Sequence, residues 1–170
     1  MLFRSVNSSP FQLLPGTAQV FMAGDYVGDA PIGAVAPKDE FRVFFGPDRA
    51  IRAKREVLGR TTGSSGLFGG STSTTWNDRI TVDNGTGRDV SLELYDRRPV
   101  SRNEKIEVRV PSVMPALSTD KRYVDGRAAQ GILRWDLRVP SSARGPAAVP
   151  VTWTVEVVHA NGLAITPIPD

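Results

Sequence analysis

Cysteine is absent from the 170 residues, and histidine occurs once. The first absence excludes disulfides and thiolate chemistry; the second leaves one imidazole base and no histidine-rich metal site. Neither fixes a compartment, because a well-packed extracytoplasmic bacterial domain can do without cysteine. No apolar run approaches the roughly 20 residues that a membrane-spanning helix needs. The opening residues lack the basic segment and apolar core of a secretory signal. Sustained helical periodicity is also missing; at most a short helical turn is expected near 117–130.

What is present suits a packed β-rich chain. The composition is 40% hydrophobic and 23% charged, which supports a core and argues against general disorder. Gly 16 and Pro 13 fit many strands joined by many turns. The 21 basic residues face 18 acidic ones, so a net charge of +3 does not by itself support nucleic acid as a partner. The length favours one domain spanning 1–170.

Period-two alternation recurs along the chain. Ala18, Val20 and Met22 share one face, and "MAGDYVG" reads as a hairpin in which Gly24 takes positive φ. Phe41, Val43 and Phe45 form a second set. Ile51, Ala53 and Val57 form a third, with Arg55 as its awkward member. Trp76, Ile80 and Val82 follow, then Val90, Leu92 and Leu94, then Ile106, Val108 and Val110. The last pair is Leu133, Trp135, Leu137 and Val139 with Val151, Trp153, Val155 and Val157. Roughly nine strands without helices must cover sheet with sheet, so the expected fold is an all-β antiparallel β-sandwich. Trp76, Trp135 and Trp153 belong to its core on this reading, although exposed tryptophans would offer a carbohydrate platform. Residues 59–75, "GRTTGSSGLFGGSTSTT", read as a long, mobile Gly/Ser/Thr-rich loop. Leu67 and Phe68 stand alone in it as a possible apolar contact tip.

Two charged stretches invite function. In "DRAIRAKRE", Arg52 and Lys54 face one way with Glu56; in "YDRRPVSRNEKIEVRV", Arg97, Arg98 and Arg102 cluster around Pro99. If they converge, these five cations form a surface for an acidic glycan or another anionic polymer. The competing reading is architectural: Pro99 ends regular pairing, and Asp96 with Arg97 or Arg98, and Glu104 with an arginine, pair to hold the connection. Asp96 and Glu104 as an acid–base pair would need a raised carboxylate pKa that nearby arginines oppose. Asp48 beside Arg49 reads as a turn cap. His159 follows a strand toward a surface or edge, with no nucleophile motif to serve. Asp25, Asp29, Asp39 and Asp83 lie near turns, but no EF-hand spacing joins them for calcium. The sequence therefore assigns no catalytic residue, metal or cofactor.

Four blocks carry a family resemblance: "NSSPFQLLPGTAQVFMAGDYVG", "FRVFFGPDRAIRAKRE", "ITVDNGTGRDVSLELYDRRPVSRNEKIEV" and "GILRWDLRVP". Together they resemble the C-terminal domain of bacterial mucoidy inhibitor A-like proteins across nearly the whole chain. The resemblance implies a β-rich domain that follows an upstream domain, often a coiled coil, in a longer protein. It also implies a link to envelope polysaccharide, with an envelope or periplasmic location if that longer protein carries a signal and a cytoplasmic one otherwise. The expectation is a non-enzymatic protein-interaction or structural module whose partner is another protein or its own upstream domain. The alternative is acidic-glycan binding, and an Asp/Glu enzyme comes third.

Overall fold

The computed structural model describes residues 2–22, 24–44, 46–65 and 70–163. Ten strands run in order: β1 (Leu2–Val6), β2 (Gly16–Met22), β3 (Asp25–Ile32), β4 (Glu40–Phe44), β5 (Ile51–Ser65), β6 (Ser71–Asn84), β7 (Val90–Arg97), β8 (Ile106–Met114), β9 (Ile132–Val139) and β10 (Val149–Ala160). Among the described residues, helix is confined to short turns at Tyr123–Arg127, Ala128–Gln130 and Gly145–Ala147. The chain is all-β, and its strands pair antiparallel in four sheets: β1–β4, β2–β3, β7–β9 and the four-stranded β5–β6–β10–β8. The described residues form ten strands rather than about nine, and this division into small sheets is not a clear sandwich of two broad ones.

The chain divides into two compact units, Met1–Arg49 and Ala50–Asp170. In the second unit, alternation builds the core. Ile80 and Val82 of β6 and Val151, Trp153, Val155 and Val157 of β10 turn one face inward. Leu133, Trp135, Leu137 and Val139 of β9 meet them, and the Trp135 and Trp153 rings lie 5.3 Å apart. Both of these tryptophans are buried and Trp76 is half-buried against the same cluster, so they pack rather than form a platform.

The expected loop at 59–75 is instead a long hairpin. β5 and β6 pair from Ile51↔Asn84 out to Ser65↔Ser71, and β10 backs β6 as far as Ser71↔Ala160. The reason is threonine: β-branched residues suit a pleated ladder, and Thr61↔Thr75 and Thr62↔Thr74 are cross-strand pairs. The Thr62 and Thr74 hydroxyls are 3.2 Å apart. Composition counted those residues as flexible because glycine and serine surround them. Leu67 and Phe68 lie outside the described residues.

The two units repeat one device. In the first, β1 pairs with β4 and β2 with β3; in the second, β6 pairs with β10 and β7 with β9. A buried asparagine closes each first strand, Asn7 immediately after β1 and Asn84 as the last residue of β6. The Asn7 side-chain amide donates to the carbonyls of Phe11 (2.8 Å), Val35 (3.1 Å) and Ala36 (3.2 Å). The Asn84 amide donates to those of Arg88 (2.7 Å), Val139 (3.1 Å) and Pro140 (3.0 Å). Each Oδ1 accepts from the backbone N–H and hydroxyl two residues on, at Ser9 or Thr86. That hydroxyl oxygen also lies 2.9 Å from the Phe11 carbonyl or 3.0 Å from the Arg88 carbonyl, so its one proton is shared between the two acceptors. The bridge Leu13↔Val35 matches the pair Val90↔Val139. The second unit differs by two flanking strands: β5 lies outside β6, and β8, inserted between β7 and β9, lies outside β10.

Candidate functional site

β5 carries two opposite faces, and the bulge that shifts its register between Val57 and Gly59 separates them from the strand's far half. Arg55 stands on the inner face with Ile51 and Ala53, which is why it looked misplaced in an apolar set. Its Nε lies 3.0 Å from Asp96 Oδ2 on β7, and its Nη2 lies 3.0 Å from Asp78 Oδ1 on β6. Its guanidinium carbon is 5.7 Å from the Trp153 ring centroid. One cation therefore bridges two carboxylates across the seam between the large sheet and the β7–β9 ribbon. Asp78 is buried; Oδ1 has the charge contact with Arg55 but no aligned hydrogen bond, and the buried Trp153 Nε1 likewise has none among the described residues. Desolvation raises the Asp78 pKa against the opposing pull of Arg55, and the negative charge of Asp96 adds to the rise.

This brace corrects the expected pairing of Asp96 with Arg97 or Arg98. Asp96 points inward to Arg55, while Oδ1 accepts the Arg97 backbone N–H at 2.6 Å. Alternation places Tyr95 and Arg97 on the ribbon's other face. The Arg98 N–H donates to the Gly131 carbonyl at 2.7 Å, and its Nη1 reaches the Pro99 carbonyl at 3.3 Å. Gly131 is glycine for a reason: φ is +80°, and a Cβ would meet Val100 Cγ2 at 2.5 Å and the Arg98 carbonyl at 2.6 Å. Arg102 and Glu104 are exposed on the turn before β8, where Ser101 and Asn103 bond the backbone as expected.

Arg52 and Lys54 alternate to the face of the large sheet opposite Arg55. Arg52 sits across from Asp83, and Lys54 Nζ lies 2.8 Å from Glu56 Oε1. Arg79 Nη2 lies 3.1 Å from Glu56 Oε2, and the hydrogen bonds from Lys54 and then Arg79 lower the Glu56 pKa. Arg52 and Lys54 therefore face away from the ribbon in which β7 ends at Arg97, with Arg98 and Arg102 in the connection that follows it. The five sequence-selected cations form two separate groups. Among the described residues, Arg97, Arg98 and Arg102 make no ion pair.

A second brace went unread in the sequence. Arg134 of β9 holds Glu93 (3.2 Å), Asp120 (3.2 Å) and Asp136 (2.8 Å), while the Ser118 hydroxyl donates to Asp136. Arg134 and Arg127 approach the Tyr95 ring at 6.0 Å and 5.9 Å. Its signal was the alternation of "ILRWDL", which places Arg134 and Asp136 together on the ribbon's outer face.

His159 lies within β10, a central strand flanked by β6 and β8, rather than at an edge. Its Nδ1 is 3.0 Å from the Ala160 carbonyl. Asp83 accepts the Gly145 N–H at 2.7 Å, an anchoring bond for the β9–β10 connection. Among the described residues no three His, Cys, Asp or Glu side chains are grouped to hold a metal. No helix among them is long and apolar enough to cross a membrane.

The chain matches no curated protein and no solved structure. A family model described as "Domain of unknown function (DUF4139)" matches residues 5–157, a span that runs from β1 into β10 and takes in both asparagine clasps, the Arg55 brace and the Arg134 brace. The chain belongs to the DUF4139 family.

Proposed function

We propose that this chain is a non-enzymatic protein-interaction module. The observation that carries the reading is the exposed apolar surface of the first unit: Phe11 is 75% exposed and Leu14 77%, with Phe21 and Tyr26 also open. Large apolar side chains gathered in one small unit fit a protein partner better than a sugar acid or a phosphate. The most prominent charged groups of the second unit are meanwhile engaged in holding strands together. The resemblance to mucoidy inhibitor A-like proteins, with its envelope setting, is consistent with a partner in the cell envelope or in an upstream domain of the same protein.

A second reading has its own support. Arg97, Arg98 and Arg102 lack ion pairs among the described residues, so an acidic glycan remains the rival ligand.

Crosslinking capture from envelope and soluble fractions of the source cell separates the two. Wild-type chain is expected to capture a protein that the folded Phe11→Ser/Leu14→Ser variant loses and the folded Arg97→Ala/Arg98→Ala variant keeps. Retention of acidic glycan without any captured protein, abolished by the arginine double variant, overturns the module reading.

A further inference from the structure

One sign of charge is missing from most of the first unit. Between Arg4 and Lys38 the sequence holds no lysine, arginine or histidine, and its only charged residues are Asp25 and Asp29. The β2–β3 ribbon falls inside this stretch, so all the side-chain charge it carries is negative. Val20 and Ala30 are buried on its inner face. Alternation turns Phe21 and Asp29 to the other face, where Phe21 meets Tyr26 across the ladder. The two rings lie 5.6 Å apart and are inclined at 63°, with Phe21 55% and Tyr26 54% exposed.

A bulge brings the carboxylate beside the rings. The register shifts between Val20, which faces Gly28, and Phe21, which faces Tyr26, so Val27 is the extra residue. Gly28 takes a φ of +138° there, open to a residue without Cβ. In an unbroken strand residues 26 and 29 would point to opposite faces; the extra residue puts them on one. The Tyr26 hydroxyl donates to the Asp29 carboxylate, and that bond raises the phenol's pKa.

The second unit shows what such a tyrosine accepts. Tyr95 stands on the outer face of the β7–β9 ribbon, and its hydroxyl donates to Glu93 Oε2 at 2.7 Å. Arg134 pairs with that same carboxylate at 3.2 Å, and its guanidinium carbon lies 6.0 Å from the Tyr95 ring centroid. Arg127 approaches the ring at 5.9 Å from the turn Tyr123–Arg127. Ring face and carboxylate attract the cations together. Tyr26 and Asp29 repeat the tyrosine and the carboxylate. Among the described residues, however, no guanidinium lies over the Tyr26 or Phe21 ring.

We infer that this face of the β2–β3 ribbon receives an arginine side chain of a protein partner, its guanidinium over the Phe21–Tyr26 pair and against the Asp29 carboxylate. The inference rests on the protein-interaction reading and specifies the partner's chemistry. Arginine fits better than lysine because its planar, weakly hydrated fork stacks on a ring and still holds a carboxylate.

The probe is a synthetic five-residue peptide alternating leucine and arginine, with a control in which uncharged citrulline replaces each arginine. NMR titration of the full chain reads the Phe21 and Tyr26 ring protons and the Asp29 amide. The arginine peptide is expected to shift these signals saturably, and the citrulline peptide to bind about fivefold more weakly or less. Asp29→Asn and Tyr26→Leu are each expected to weaken the arginine peptide about threefold to tenfold. Both side chains are exposed, so the remaining amide spectrum is expected to stay unchanged. Tyr26→Phe keeps a ring and is expected to lose less than Tyr26→Leu.

Three titration results overturn the inference. One is the absence of shifts at Phe21, Tyr26 and Asp29 with the arginine peptide. Another is equal binding of the citrulline peptide, which would make the face a purely apolar contact. The last is an affinity unchanged by Asp29→Asn. Capture of a cellular partner that survives in folded Tyr26→Ser/Asp29→Asn also overturns it and leaves the module reading standing. Capture of no protein at all removes the module reading itself, and the inference with it.

Discussion

Asn84→Ala is expected to lower the free energy of unfolding by about 3–5 kcal/mol, several times the loss of one ordinary hydrogen bond. Asn84 is fully buried, and its amide serves three carbonyls while its Oδ1 takes two donors from Thr86. Truncation leaves the Val139 carbonyl buried without this donor and frees the turn that launches β7. Asn84→Asp keeps the shape but points a carboxylate at three carbonyl oxygens. Its folded state then favours the protonated acid, so its folded pKa is raised. The Asp variant's deficit is therefore largest at neutral pH and shrinks as pH falls through that raised value. Urea denaturation of wild type, Asn84→Ala and Asn84→Asp at neutral and acid pH checks both statements. A cost below about 1 kcal/mol for Asn84→Ala would mean that the clasp is decorative.

Arg55→Met is expected to cost about 1–3 kcal/mol at neutral pH, because it leaves the Asp78 and Asp96 carboxylates facing an uncompensated seam. The figure sits below that of a fully buried pair because the Arg55 side chain keeps 42% of its exposure and solvent screens it. Asp78→Asn is expected to cost far less than Arg55→Met, or to stabilise. In the Asp78→Asn background the Arg55→Met penalty is expected to shrink, which a double-mutant cycle reads directly. The pH sign follows from the raised Asp78 pKa. The folded state binds this proton more readily than the unfolded chain. The favourable contribution is fully present below the unfolded value and is lost as pH rises through the folded one. Stability of wild type relative to Asp78→Asn is thus expected to rise from neutral toward mildly acid pH. A flat difference across that range would place Asp78 in a well-solvated, fully paired environment, contrary to its burial.

Much of this fold was legible because alternation is a one-dimensional signal. Trp135, Trp153, Val155 and Val157 declared their face by phase alone. The same phase also held the Arg55 brace: Asp78 is in step with Trp76, Ile80 and Val82, and Arg55 with Ile51 and Ala53. Two opposite charges on inward faces of adjacent strands belong together. Reading Arg55 as an exception within its own strand, and passing over Asp78 in the Trp76, Ile80 and Val82 set, hid the pair. Residues 59–75 misled because composition weighs glycine and serine equally wherever they fall, whereas a ladder depends on the threonines opposite one another. The clasps at Asn7 and Asn84 were legible as Asn-x-Ser/Thr before a strand, but their worth depends on carbonyls at Val35 and Val139, 28 and 55 residues away. The five chosen cations illustrate the same limit, since only three-dimensional alternation separates Arg52 and Lys54 from Arg97, Arg98 and Arg102.

The most direct test of the interaction reading is a titration of the intact chain with a soluble polyuronate, comparing wild type with Arg97→Ala/Arg98→Ala/Arg102→Ala across a range of salt. For a module whose cations form two separate groups, any retention is expected to be weak, to disappear near physiological ionic strength, and to differ little between the two chains. Tight binding that survives that ionic strength and falls at least about tenfold in the triple variant, equivalent to about 1.4 kcal/mol, would contradict it and make the chain a binder of acidic polymers.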